Sequence, residues 1–420
     1  MNLKGKKLLI LAGASVHCKL VEAAKEMGIY TIVADYLDSS PAKELADEKW
    51  LVDINDVGEI VKRCRENYVD GVITGWIDPC QRPYYQICKK LSLPCYGTEE
   101  QFYKMTDKHA FKKMCIDNGV GIIPEYTESE VENGNVEYPV FIKPVDSRGS
   151  RGQTICHTKE EALEGIRIAK QESSNGDILI EKYIADKNSF QVTYFYVNGK
   201  PSILRTVDGY KGLVEEKLDK VALCSISPSI YTDAYMVNAH EKVLKMFSNL
   251  GLQNGPAMLQ GFYDDGTFRF YDPGLRFPGV DFDRIYKAEY QVDVMKAMVI
   301  FAITGDMPDV QVDEGKLLFD GRRAAVLFPT IGAGKIGSIN GLTDTANLPQ
   351  VYSVLPRYSV GDTVEWSFTV RQRLAEIDMI ADNQEKLKQL ILHIQNSIQV
   401  LDTEGSNMIY MPFDVERLEL

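Results

Sequence analysis

The chain has 420 residues, room for two or three compact units, so a peptide or mini-protein is excluded. Apolar residues at 45%, charged residues at 25% and aromatics at 10% exclude a disordered or fibrous chain. Sixty Asp and Glu against 47 Lys and Arg give a net charge of -13. That field repels phosphate backbones and anionic surfaces, so neither nucleic acid nor a membrane is expected as a partner.

The start, MNLKGKKLLILAGASVHC, has an apolar stretch of only 8–12, and Lys19, Glu22, Lys25 and Glu26 follow it. Neither a secretory leader nor a spanning segment fits, and a cytoplasmic location is expected. Eight cysteines form no CxxC pair and five histidines form no HExxH, so reduced thiols are expected and a thiolate or histidine metal site is not.

The first hundred residues alternate β-rich and helical patterns. Strand runs at 8–12, 30–35, 49–54 and 71–76 enclose helical patterns at 18–28, 42–46 and 57–67, the rhythm of βαβ units on a parallel sheet. Gly13 follows the first strand and Asp35 ends the second, where a dinucleotide fold would bind its ligand. GASVHC, however, has one glycine where that fingerprint has three, so Gly13 reads as a turn and Asp35 as a strand-end or capping residue.

After Pro94, a helical TEEQFYKM precedes TDKHAFKKMCIDNGV, with Thr106 and Asp107 as N-cap candidates and Gly119 at the far end. Strands at 138–142 and 153–156 flank a stretch rich in Ser, Arg and Gly, which predicts a hairpin with a flexible tip. A helix is expected from 158 to 171. DILIEKYI, SFQVTYFYV and PSILRTV then read as consecutive antiparallel strands, with Asn198 and Gly199 in a hairpin turn. Further on come a helix at 233–250, a hairpin around DDG, a helix at 290–304, strands RRAAVLF and TVEWSFTV, and a helix at 383–398. Pattern changes divide the chain into 1–100, 101–305 and 306–420.

The residues with most chemistry are Lys108; Lys143 and the loop Asp146, Ser147, Arg148, Gly149, Ser150, Arg151, Gly152; Glu181 to Ile184; and Asp272 to Arg276. Backbone N–H groups, hydroxyls and guanidinium charge on such a loop suit phosphate oxygens, and two lysines on separate elements suit the remaining charge. A solvated basic hairpin tip would have the same composition. With phosphates absent, a tip so poor in apolar anchors is expected to be mobile.

Taken in order, this series resembles the ATP-grasp superfamily, in the branch with biotin carboxylase, the large subunit of carbamoyl phosphate synthetase, phosphoribosylamine-glycine ligase and bacterial L-amino-acid ligases. The resemblance implies an α/β and α+β fold: a Rossmann-like N-terminal parallel sheet, a central ATP-grasp module of two α+β subdomains, and a small β-rich C-terminal region. It implies ATP and Mg2+ as cofactors. Nucleotide contacts would come from Lys108, Lys143, Ser147, Gly149, Ser150, Arg151, Gly152, Glu181, Lys182, Tyr183 and Ile184. In this pattern the strand 178–184 holds adenine by backbone bonds and ribose by the Glu181 carboxylate. Arg276 and Lys143 would be catalytic, neutralising charge on the transferred phosphoryl group.

The metal positions implied by the resemblance are Gln260 and Asp272, and here the chain departs from the pattern. Gln260 stands where an acid is usual, and Gly274 where an asparagine is usual. Three outcomes stay open: one firmly held magnesium, recruitment of another acid such as Asp264, Asp281 or Asp283, or nucleotide binding without turnover. Arg205, Lys211, Glu215, Glu216 and Lys217 fall where relatives line the second substrate's pocket, and serve equally well as a solvated loop. The expected activity is ATP-dependent ligation of a carboxylate to an amine, both small molecules, by a homodimer by analogy with relatives. A regulator descended from such a ligase is the alternative, and a Rossmann oxidoreductase a third reading.

Overall fold

The computed structural model describes residues 2–145, 152–184, 189–213, 220–279, 282–310, 318–367 and 370–418. Strands β1 (Lys7–Leu11), β2 (Tyr30–Asp35), β3 (Glu48–Leu51) and β4 (Gly71–Ile73) form a parallel sheet ordered β3-β2-β1-β4. Leu8 to Leu11 are all buried, as a parallel strand covered on both faces requires. Helices Cys18–Glu26 and Val57–Glu66 supply cover, the second capped by Asp56 accepting from the Glu59 N–H. The Asp35 carboxylate accepts from Gly13 N (2.7 Å) and Leu37 N (2.8 Å), so it ties the turns after β1 and β2 to each other.

A second sheet is antiparallel and small. It takes β5 (Glu125–Tyr126), β6 (Val140–Pro144), β7 (Thr154–Cys156) and β8 (Ile178–Lys182) in the order β5-β8-β6-β7. Helix Lys159–Glu172, capped by Thr158, packs its Ala162, Ile166 and Ala169 on this sheet around Val140, Ile142 and Ile180. The expected hairpin is present as the β6–β7 pair, Val140 opposite Cys156; its tip, 146–151, lies outside the described residues. One expectation is corrected here: β8 does not pair with the strand after it but lies between β5 and β6. Its inward residues complete the small core, and the chain then leaves for another sheet.

The remaining strands are β9 (Ser189–Val197), β10 (Lys200–Leu213), β11 (Lys220–Ser227), β12 (Gly255–Asp264), β13 (Thr267–Gly274), β14 (Arg323–Leu327), β15 (Gly334–Asn340), β16 (Val351–Pro356), β17 (Thr363–Val364), β18 (Ala375–Ala381) and β19 (Gln399–Asp402). Eight of them build the central sheet in the order β13-β12-β9-β10-β11-β14-β18-β16, and β17-β15-β19 form a smaller one. Asn198 and Gly199 both have positive φ (50° and 79°), the backbone of the two-residue turn that joins β9 to β10.

The helix expected at 233–250 is two helices, Thr232–Asn238 and His240–Leu250, broken at Ala239. The one expected from 290 begins at Val294, after a separate helix Asp283–Tyr290 and a left-handed Gln291. TVEWSFTV contributes only the two residues of β17. One large core joins the parallel sheet to the central sheet, and a second lies between β14, β18 and helix Gln384–Ser397.

Candidate functional site

Lys108 opens helix Lys108–Asp117, whose N-cap Asp107 accepts from the Ala110 N–H at 2.8 Å. Thr106 does not share that role: its hydroxyl donates back to the Phe102 carbonyl and so closes the preceding helix. One turn along, Lys112 lies on the same helical face as Lys108. Lys112 donates to Glu181 Oε1 at 2.8 Å and also bridges to Glu125.

Lys143 reaches the same carboxylate from the small sheet. Glu181 stands opposite Phe141 across the β6–β8 ladder, so Lys143, two residues on, shares its face and approaches diagonally. Lys143 Nζ lies 2.5 Å from Glu181 Oε2, and Glu181 is buried. Burial alone would raise the Glu181 pKa; the charges of Lys143 and Lys112 outweigh it and hold the carboxyl below its ordinary range.

The far end of the site is built by β12 and β13. Gln260 and Asp272 stand opposite each other in that ladder, and Gln260 also stands opposite Gln191 on β9. Gln260 Nε2 donates to Gln191 Oε1 at 2.8 Å, and its side-chain amide oxygen has no hydrogen-bond partner among the described residues. Asp272 keeps part of its surface in water, yet protein surrounds the carboxylate. Burial, helped by the like charge of Asp78, raises its pKa although Arg276, Lys108 and Lys143 pull the other way.

Arg276 is held by Asp78, whose Oδ1 accepts from Nε at 2.7 Å, and its NH2 lies 3.6 Å from Asp272. A Cβ on Gly274 would lie 2.8 Å from Arg276 Cγ, so the arginine side chain occupies the space an asparagine there would claim. The two ends form one electrostatic neighbourhood. Burial and then the charge of Lys143 lower the Lys108 pKa, while Glu181 and Asp272 oppose them.

Several sequence expectations are settled by position. Asp264 is bridged to Lys182 (3.2 Å) and Arg269 (2.9 Å), and Asp283 to Lys19 (2.7 Å), so neither is recruited beside Asp272; Asp281 lies outside the described residues. The acid beside Asp272 is Asp78 instead. The Lys182 and Tyr183 N–H groups donate to the Pro124 and Pro139 carbonyls, so of that trio Ile184 alone keeps an N–H with no backbone acceptor among the described residues. Ser147, Gly149, Ser150 and Arg151 lie outside the described residues, as do Glu215, Glu216 and Lys217. Gly152 packs against Pro144 and Glu172 at the foot of the loop. Arg205 is buried, and Lys211 lines a cavity beside Gln260.

The donor set fits one magnesium held by a carboxylate and an amide oxygen, with water and phosphate completing six oxygens; no group of three His, Cys, Asp or Glu gathers among the described residues. Lys112 and Asp78 were missed by sequence reasoning. The i, i+4 spacing from Lys108 could have found Lys112; Asp78 carries no local signal beyond its place after a parallel strand.

Residues 107–193 match the family described as carbamoyl-phosphate synthase L chain, ATP binding domain. Biotin carboxylase 1 of Bacillus subtilis (strain 168) is 28% identical over 292 residues, 63% of this chain and 63% of that protein. The chain thus matches less than two thirds of that relative's length. Phosphoribosylglycinamide synthetase from Anaerococcus prevotii superposes with a TM-score of 0.75 at 19% identity, covering 95% of this chain and 100% of that one. L-amino acid ligase from Bacillus licheniformis gives 0.73 at 19% identity, with 95% and 99% covered. At such identity these likenesses establish the fold.

Proposed function

We propose that the chain is a member of the ATP-grasp superfamily and, within it, an ATP-dependent ligase joining a carboxylate to an amine, both small molecules. The observation that carries the reading is the convergence of Lys108, Lys143, Glu181, Asp272 and Arg276 on one site from three separate sheet and helix elements.

In the proposed reaction a carboxylate oxygen of the acid attacks the γ-phosphorus of ATP, the bond from that phosphorus to the bridging oxygen breaks, and ADP leaves. The amine then attacks the acyl carbon of the acyl-phosphate, loses a proton, and phosphate departs. No covalent enzyme residue is needed; placement and charge neutralisation do the work. Lys108 and Lys143 take phosphate oxygens, Glu181 faces the ribose, and the Ile184 N–H and neighbouring carbonyls face the adenine edge. Arg276 neutralises the transferred phosphoryl group. Asp272 and the Gln260 amide oxygen would hold magnesium, which supplies charge neutralisation on the phosphates.

The loop residues Ser147, Gly149, Ser150 and Arg151, with Gly152, complete the proposal, as do a cytoplasmic location, a homodimer and the division at about 100 and 305. No helix among the described residues is long and apolar enough to cross a membrane. Incubation of the full chain with ATP, magnesium and pools of amino acids and small acids is expected to release phosphate only when the right acid is present. ATP binding without release in any pool would overturn the ligase reading in favour of a nucleotide-binding regulator.

A further inference from the structure

A cavity of about 270 Å³ opens next to Gln260. Gln191, Gln260, Tyr271 and Lys211 line it from the central sheet, Arg357 from just after β16 and Arg373 from just before β18. No Asp or Glu is among its described lining residues. Three cations therefore face one small space whose other end is the amide opposite Asp272.

The two arginines meet for a backbone reason. Pro356 pairs with Ala375 in the β16–β18 ladder, and the Arg357 N–H donates to the Leu374 carbonyl at 2.8 Å, which puts the flanking side chains together. Arg357 is exposed; Arg373 is 6% exposed, and its Nε has no hydrogen-bond partner among the described residues. Phe328 covers one face of the guanidinium, with Cζ 3.8 Å from the ring centroid. Burial, then the like charge of Arg357, lowers the Arg373 pKa to about 10, while Glu376 opposes the shift. A planar fork, stripped of water and crowded by a second guanidinium, is a site short of an anion.

We propose that this cavity receives the acid substrate and that the acid is a small dianion, one carboxylate directed past Gln260 to the phosphates and a second anionic group held by Arg373 and Arg357. The position of the reacting carboxylate rests on the ligase reading; the anion site itself does not. A volume near 270 Å³ suits an amino-acid-sized molecule. A singly charged acid would leave the buried Arg373 without its partner, which is the means of rejection.

The test is calorimetric titration of the full chain saturated with a non-hydrolysable ATP analogue and magnesium. Succinate, L-aspartate, L-glutamate and O-phospho-L-serine are each compared with succinamate, L-asparagine, L-glutamine and L-serine. At least one acid with two anionic groups is expected to bind tenfold or more tightly than its counterpart with one, and the arm that responds separates a second carboxylate from a phosphate monoester. R373Q is expected to abolish the preference. If R373Q does not fold, R357Q, at an exposed position, is expected to reduce it at least fivefold. Equal binding of every pair, or a preference untouched by R357Q, overturns the proposal. A dianion that binds with this preference while phosphate release never occurs would uphold the anion site and overturn the ligase reading.

Discussion

Glu181 lies between two lysines that arrive from different elements, and this sets what each lysine can do when phosphate enters. Lys112 is fully committed to Glu181 and Glu125, whereas Lys143 shares only one oxygen of Glu181, and Lys108 stands at an exposed position. Lys143→Ala and Lys108→Ala are each expected to remove a charge-assisted contact of about 1.5–3 kcal/mol, roughly ten- to a hundredfold in ATP affinity. Fluorescent-nucleotide titration checks this, and unchanged affinity in both variants would put the pocket elsewhere. His17 gives a second residue-scale prediction, this one on stability. Burial pushes its ring pKa down to about 4, against weaker upward pulls from the Ala14 backbone and Asp35. Between about pH 6.5 and 4 the unfolded chain therefore binds a proton that the folded chain refuses, and stability is lost as pH falls through that window, by at most roughly 3 kcal/mol. Asp208, raised to about 6 by burial, has the opposite slope, so the measurement is a difference between variant and parent. His17→Phe preserves the edge contact with Trp76 (centroids 5.2 Å) and is expected to lose less stability than the parent between pH 6.5 and 4.5 in urea melts. Equal losses would show that folded His17 takes up its proton as readily as the unfolded chain does.

Strand pairing carries the proposed metal site. The opposition of Gln260 and Asp272 across β12 and β13 is the kind of relation an alternation pattern can suggest, because period-2 residues in a tight hairpin share a face. That hairpin, the parallel βαβ run, the cap at Asp107 and the helix starts near 158 and 383 were all legible in the sequence, since each is decided by residues close together in the chain. What was not legible depends on distant packing. β8 looks like the first strand of a meander, but its partners are β5 and β6, because Ile180 has a small core of its own to fill. The break at Ala239 and the pairing of Arg357 with the Leu374 carbonyl likewise leave no local trace. The pairing yields a prediction that the sequence alone would have put differently. Gln260→Glu places a second carboxylate opposite Asp272 and is expected to make ATP binding several-fold more dependent on magnesium. Gly274→Asn, which by resemblance should help, is expected to weaken binding because its side chain must displace Arg276. Titrations of both variants with and without magnesium decide it; a gain from Gly274→Asn would mean that Arg276 yields at little cost.

At the scale of the whole molecule, the parallel sheet is part of the site. The loop after β4 delivers Asp78 to Arg276, the Gly75 carbonyl accepts from the Phe277 N–H at 2.8 Å, and Lys19 pairs with Asp283 at 2.7 Å across the same boundary. Arg276 is thus oriented by a unit that carries none of the nucleotide contacts expected from the sequence, which makes Asp78 a positioning residue for the proposed reaction. Asp78→Ala would free the guanidinium to settle on Asp272, 3.6 Å from it now, and draw it off the phosphoryl position. The expected result is a fall in kcat of about ten- to a hundredfold, the scale on which misplacement of a charge by an ångström is felt. ATP affinity should change much less, because Lys108 and Lys143 are untouched. Asp78→Asn keeps an oxygen that can accept from Arg276 Nε, so it is expected to restore most of the lost rate. A purely structural role would move stability in both variants and leave kcat alone, and a rate loss equal in Asp78→Ala and Asp78→Asn would show that the charge of Asp78, rather than its hold on Arg276, is what the site uses.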